Sequence, residues 1–175
     1  MTQSALALTY EAVGATRQSP PANYVIDHTR VELGQGERVF TVGCRALQTW
    51  KQFELGWLEA LPNDTPIRAG ATVAILVRAF GMWWLNAARI VYVVDESTDS
   101  FTRFGFAYGT LPGHAETGEE RFFVECDRAT GRIYYDIFAF SRPRHILPRL
   151  AKPLARRMQK RFSRDSAAAM RRAVQ

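Results

Sequence analysis

The chain carries none of the short motifs that announce a reaction. Its 175 residues hold no cysteine or histidine pair at metal-ligand spacing, no glycine-rich phosphate loop, no nucleophile elbow and no dinucleotide fingerprint. Nothing in the sequence asks for a cofactor. Cysteine is scarce. Cys44 and Cys126 fall in separate predicted elements, too few and too isolated for a zinc site or a disulfide framework, and they read as buried free thiols of a reducing cytosol. The first twenty-one residues have neither a basic start nor an apolar run of signal-peptide length, which argues against export and for a cytoplasmic location. Long hydrophobic runs are missing too. The most apolar region, 71–94, is interrupted by Arg78, Asn86 and Arg89, whereas a bilayer span needs about 20 residues with few or no charges. An integral membrane protein is therefore not expected, and the region reads as paired strands.

What is present suits one domain, 1–175, with an ordinary core: 47% of residues are apolar and 23% charged. The net charge of +6 is unevenly spread. From Arg142 to Gln175 there are eleven Arg or Lys and one acid, Asp165, so this tail is about +10 and the body about −4. Such asymmetry hints at an acidic partner.

Residues 1–21 are polar, end in Pro20 and Pro21, and predict a lightly packed lead-in. "NYVIDHTRVELG" alternates as a strand closed by Gly34. Val39, Phe40, Leu47, Trp50 and Phe53 recur at three, four and seven, which predicts one amphipathic helix, or two broken near Gly43. Beyond Gly70 the period becomes strand-like. Thr72 to Ala79, Trp83 to Asp95, Phe101 to Leu111, Arg121 to Asp127 and Arg132 to Ser141 are β-branched and aromatic runs with connections short enough for antiparallel neighbours. Helical spacing returns in 143–175. Leu147, Leu150, Leu154, Met158 and Phe162 form an apolar stripe on a helix whose regular part starts near Pro153, the residue suited to a first turn. The order predicts an α+β fold in which a curved antiparallel sheet wraps around a long C-terminal helix.

Four stretches also carry a family resemblance: "LTYEAVGATR" at Leu8 to Arg17, "IVYVVDES" at Ile90 to Ser97, "FGFAYGTLPGHAETGEERFFVE" at Phe104 to Glu125, and "FAFSRP" at Phe138 to Pro143. Together they resemble the uncharacterised domain-of-unknown-function family nineteen-ninety over almost the whole chain. That family is similar to the helix-grip superfamily of START domains and birch-pollen-type allergens. The resemblance implies the same fold and an enclosed hydrophobic ligand; it implies no catalytic residue.

The candidate residues divide into three groups. "YGTLPGHAETGEE" offers Tyr108, His114, Glu119 and Glu120 in a loop with a type II turn at Pro112 and Gly113 and a second reversal at Gly118. An imidazole oriented by a carboxylate can do acid–base work, so His114 with Glu119 or Glu120 is the catalytic candidate. Alternation sends one of the two glutamates inward, where it is expected to meet His114 or an arginine at the mouth of the grip. The aromatic residues read either as core or as the lining of a ligand pocket. On the second reading Phe106, Trp83, Phe138, Tyr108, His114 and Glu120 touch a small hydrophobic or aromatic ligand, with Arg89 and Asp136 as a polar anchor inside it. The basic stripe Arg149, Lys152, Arg156, Lys160 and Arg164 is a solvated helix face or an electrostatic surface for an acidic partner; with no aromatics on the same face, nucleic acid is not expected. His28 is read as a surface or hydrogen-bonded residue and His145 as part of the surface charge. Three functions follow: a binding module, an acid–base enzyme of the same fold, and a nucleic-acid or acidic-surface binder working through the basic C-terminal helix.

Overall fold

The computed structural model describes residues 6–79, 81–143 and 151–175. Chain order is β1 (Val25–Gln35), α1 (Glu37–Gln48), a 3-10 turn at Lys51–Phe53, β2 (Leu58–Leu61), β3 (Thr72–Ala79), β4 (Met82–Ser97), β5 (Phe101–Thr110), β6 (Glu116–Asp127), β7 (Arg132–Pro143) and α2 (Ala151–Ala173). The strands make one antiparallel sheet in the order β1-β7-β6-β5-β4-β3-β2, so a meander from β2 to β7 is closed by β1 against β7. Both helices lie on one face, the curled sheet gripping α2.

The core sits between that face and the helices. Trp50 meets Phe106 at a ring separation of 5.1 Å, Phe53 meets Phe122 at 5.5 Å, and Phe162 of α2 reaches Phe53 at 5.4 Å. Burial of rings this large dominates the stability of a small domain. Met158 and Phe162 pack on this core, and Met170 and Val174 continue the contact at the end of α2, whereas Leu154 is exposed. Leu147, Leu150 and His145 lie outside the described residues.

Several boundaries differ from expectation. α1 is unbroken at Gly43, because the missing side chain lets it rest on β6, where a Cβ would stand 3.2 Å from a Val124 methyl. β2, four residues long, had no run of its own to mark it. β6 begins at Glu116, five residues before the apolar run does. Gly118 is therefore not a second reversal. It lies within β6 opposite Ser141, in the left-handed region at φ 154°, where a Cβ would come within 2.0 Å of the Phe140 carbonyl oxygen. The first turn is as read: His114 N–H donates to Leu111 O at 3.1 Å and Gly113 has φ 97°.

Candidate functional site

Glu119 and Glu120 are neighbours on β6, and the two-residue period sends them to opposite faces. Glu120 is the inward one. Tyr108 of β5 lies opposite it, and its hydroxyl donates to Glu120 Oε2 at 2.6 Å. The Tyr108 ring in turn packs against Phe53 and Phe122 at 6.1 and 5.6 Å. Nearer the loop, Glu116 Oε1 accepts from Gln159 Nε2 at 2.7 Å, and the same amide donates to Ser141 Oγ at 3.1 Å. Arg156 donates to Asp27 Oδ2 of β1 at 2.7 Å and to Gln159 Oε1 at 3.0 Å. Deeper in, the Tyr135 and Ser166 hydroxyls share a hydrogen bond of 2.8 Å. One end of the interface between sheet and α2 is thus polar, carrying three carboxyls and one guanidinium, while the other end is aromatic.

The electrostatics of this end follow from desolvation. Burial pushes the Glu120 carboxyl up to about 7, against the hydrogen bond from Tyr108 and with help from the charges of Glu116 and Asp27. Burial likewise raises Glu116, opposed by Gln159 and Ser141. The Tyr108 phenol is raised well above its ordinary value by burial and then by Glu120, so it acts as a fixed donor. Glu120 nevertheless keeps accessible surface. A carboxyl able to change protonation near neutrality and held by a phenol can give or take a proton or anchor a polar group.

The opposite, convex face holds a different structure. Glu119 is buried there beneath residues 10–16 of the lead-in, which the sequence reads as lightly packed but which buries Tyr10 and Thr16. Tyr10 Oη donates to Glu119 Oε2 at 2.6 Å, Gly14 N–H to Oε2 at 2.7 Å and Thr16 N–H to Oε1 at 3.0 Å; the Thr16 hydroxyl also donates to Oε1. The same hydroxyl accepts from Tyr92 Oη at 2.6 Å. Arg121 links this clasp to the rest of the face, donating to Thr16 O at 2.7 Å and to Asp136 Oδ1 at 2.8 Å. Asp136 is also held by His28 Nε2 at 2.8 Å. Burial works against its charge, but the hydrogen bonds from His28 and Arg121 hold its carboxyl below the usual range.

Glu119, Asp136, Arg89, Phe138 and Trp83 are accordingly not parts of the grip interior. Arg89 lies between inward Ala88 and Ile90, and its Nη1 donates to Leu6 O at 2.9 Å. Phe138 packs edge-on to His28 at 5.6 Å under Arg121. Trp83 stands exposed on the β3–β4 ribbon. Phe106 is inward and fully buried, a core ring. His114 sits half-buried in the loop, its Nδ1 accepting from Glu116 N–H at 3.1 Å. Among the described residues the inward glutamate takes its hydrogen bond from Tyr108, where the sequence pointed to His114 or an arginine. In the basic stripe, Arg149 and the side chain of Lys152 lie outside the described residues. Arg156 turns onto the sheet, Lys160 is exposed, and Arg164 is exposed beside Asp165 at 2.9 Å.

Sequence reasoning missed Glu116, Gln159 and the Arg156–Asp27 pair. The available signal was that Glu116, Gly118 and Glu120 share one face at period two. On the clasp side, Gly109 makes room for Tyr10, since a Cβ there would lie 2.3 Å from the Tyr10 hydroxyl. Gly109→Ala is expected to displace Tyr10 and cost roughly 1–3 kcal/mol, read as a lower midpoint in urea unfolding.

Residues 9–169 match the family model Domain of unknown function (DUF1990), and the chain belongs to that family. It is 39% identical to a UPF0548 protein of Dictyostelium discoideum over 160 residues, 87% of this chain and 74% of the other. It is 40% identical to a UPF0548 protein of Deinococcus radiodurans over 156 residues, 83% of this chain and 76% of the other. Among solved structures, a START superfamily protein from Mycobacterium smegmatis superimposes with a TM-score of 0.54 at 10% identity, over 87% of this chain and 97% of that one. A hypothetical protein from Helicobacter pylori gives 0.53 at 14% identity, over 97% and 96%. At such identities the likeness is one of fold: the chain has a helix-grip fold like that of the START superfamily protein. No described helix is long and apolar enough to cross a membrane.

Proposed function

We propose that this DUF1990 protein is a cytoplasmic binding module that holds a small hydrophobic or aromatic molecule between the concave sheet and α2, with Glu120 and Tyr108 as its polar anchor. The observation that carries the reading is the carboxyl–phenol pair itself. A pure core would fill these two positions with apolar side chains, whereas here a carboxyl raised to about 7 by burial is held by a phenol whose ring packs on the aromatic core. A few convergent polar groups in an otherwise apolar lining are what orients a small ligand. The START-type fold is compatible with the same use.

Native mass spectrometry of purified protein is expected to reveal a bound apolar compound, or a hydrophobic dye to bind and be displaced by aromatic ligands. Tyr108→Phe and Glu120→Gln should each weaken that binding about tenfold, the equivalent of one hydrogen bond to a charged group. Equal affinity in both variants, or no bound compound and no dye uptake, would remove the proposal. A second reading, acid–base catalysis, is supported by Glu120 alone: its near-neutral titration suits a general acid or base, whereas Glu119 cannot serve from the convex face. A turnover rate whose pH profile breaks near 7 and is lost in Glu120→Gln would favour that reading over simple binding.

A further inference from the structure

Residues 71–94 contain no Asp or Glu, and their only charges are Arg78 and Arg89. Within this span β3 and β4 pair from Thr72–Arg89 to Ala79–Met82, but β5 joins β4 only from Ala88 onward. The β4 edge from Met82 to Ala87 is therefore not paired with β5, while β2 flanks β3 as far as Val77, the partner of Trp84; beyond that pair the hairpin projects past the rest of the sheet as a two-stranded ribbon. Along this edge, Met82 is 53% exposed, Trp83 57%, Trp84 49% and Leu85 56%. Four consecutive large apolar residues on a strand point alternately to its two sides. The ribbon is thus apolar on both faces, and a flat protein surface could cover only one of them. A fluid medium that closes around the ribbon satisfies both.

The chemistry around the ribbon narrows that medium to one kind. Tryptophan side chains favour the boundary between lipid headgroups and acyl chains. Arg78, with its guanidinium 5.7 Å from the Trp83 ring, is the charged residue nearest the tip. The Arg78 backbone N–H donates to Trp57 O at 2.7 Å, and Arg161 of α2 lies over the Trp57 ring at 4.3 Å. The basic face of α2, with Arg157 and Arg161 exposed, thereby adjoins the base of the ribbon. Carboxylates mark the base of the ribbon: Asp165 of α2 accepts from Trp57 Nε1 at 3.0 Å and pairs with Arg161 at 3.4 Å. Glu59 sits opposite Leu76, and Glu54 is paired with Lys51 at 2.8 Å; with Gly56, Leu58 and Trp83 they line a groove at the root of the ribbon. Four strand residues reach about 13 Å at ~3.3 Å each, close to the ~5–10 Å depth at which interfacial segments seat.

We infer that the β3–β4 ribbon is a docking finger for an anionic lipid surface: Met82, Trp83, Trp84 and Leu85 enter the headgroup boundary while Arg78 and the adjoining arginines of α2 meet the lipid phosphates. The carboxylates at its root stop it there. This role is separate from small-molecule binding at Glu120.

The test is co-sedimentation of the full chain with vesicles of phosphatidylcholine alone and of phosphatidylcholine with phosphatidylglycerol, together with tryptophan quenching by brominated lipid. Binding is expected to the anionic vesicles, weakened by salt as screening requires, with quenching of tryptophan emission. W83S/W84S should lower the vesicle partition at least roughly tenfold while leaving the thermal transition in place, since both rings are exposed. M82S/L85S keeps every tryptophan as a reporter and should bind more weakly with less quenching. Two results overturn the inference: no pelleting with anionic vesicles, or pelleting and quenching unchanged in both variants. A dimer in sedimentation velocity that W83S/W84S dissolves, with no vesicle binding, would also overturn it, because a second copy would then cover the ribbon.

Discussion

Glu119→Ala is expected to cost about 3–5 kcal/mol of stability and to release residues 9–17 from the sheet. The magnitude is that of breaking a buried charged group away from its partners. Four donors converge on this carboxylate, from Tyr10, Gly14 and Thr16, and alanine leaves all of them buried without an acceptor. Glu119→Gln keeps the shape but turns an NH2 group toward donors, so it is expected to cost nearly as much. Urea unfolding measures the loss. Limited trypsinolysis locates it, because Arg17 stacks on Tyr92 at 3.9 Å in the intact clasp and cleavage after Arg17 should accelerate in both variants. A glutamine variant as stable as the parent would show that the carboxylate is not what holds the lead-in.

The clasp also explains which parts of the molecule the sequence could reveal. Period two marked β3, β5 and β7 almost to the residue, and period 3.6 marked α1 and α2, because each of these elements has one clearly apolar side or a dense β-branched run. It also required that one of Glu119 and Glu120 turn inward. It could not say which one, because the phase of a strand is set by its partners. Here both faces of the sheet are covered, one by helices and the other by the lead-in. Strands such as "RFFVECD" and "RIYYDIFAF" are consequently apolar on both sides, and Asp136 and Phe138 carry no mark of the face they occupy. Between Ile90 and Tyr92 the register against β5 shifts, which moves Tyr92 to the convex face. A bulge of that kind inverts any face assigned by simple alternation. The lead-in was illegible for another reason. Its anchors, Thr9, Tyr10 and Thr16, follow no period, and they are fixed by Thr110, Thr117 and Glu119, about a hundred residues away in sequence.

Glu120→Gln, one residue along, is expected to do the opposite of Glu119→Ala at neutral pH and above. A carboxyl whose ordinary value of 4.5 is raised to about 7 in the folded protein binds its proton more tightly folded than unfolded. The stability this contributes is fully present below about 4.5, is lost as the pH climbs toward 7, and stays lost beyond it. A shift of that size corresponds to roughly 3 kcal/mol. Glutamine cannot ionise, yet its carbonyl still accepts from the Tyr108 hydroxyl. The variant should therefore match the parent below about pH 4, lead it by about 1 kcal/mol at pH 5 and by roughly 3 kcal/mol at pH 8, with urea unfolding at intervals across that range as the measurement. Parallel curves for parent and variant would mean that Glu120 is not the group that titrates. The same curve bears on function: above pH 7 the folded protein holds an ionised carboxylate in a largely apolar setting, and a ligand that brings a hydrogen-bond donor to Glu120 relieves that cost. Such a ligand should stabilise the parent more at pH 8 than at pH 5, and Glu120→Gln at both values alike.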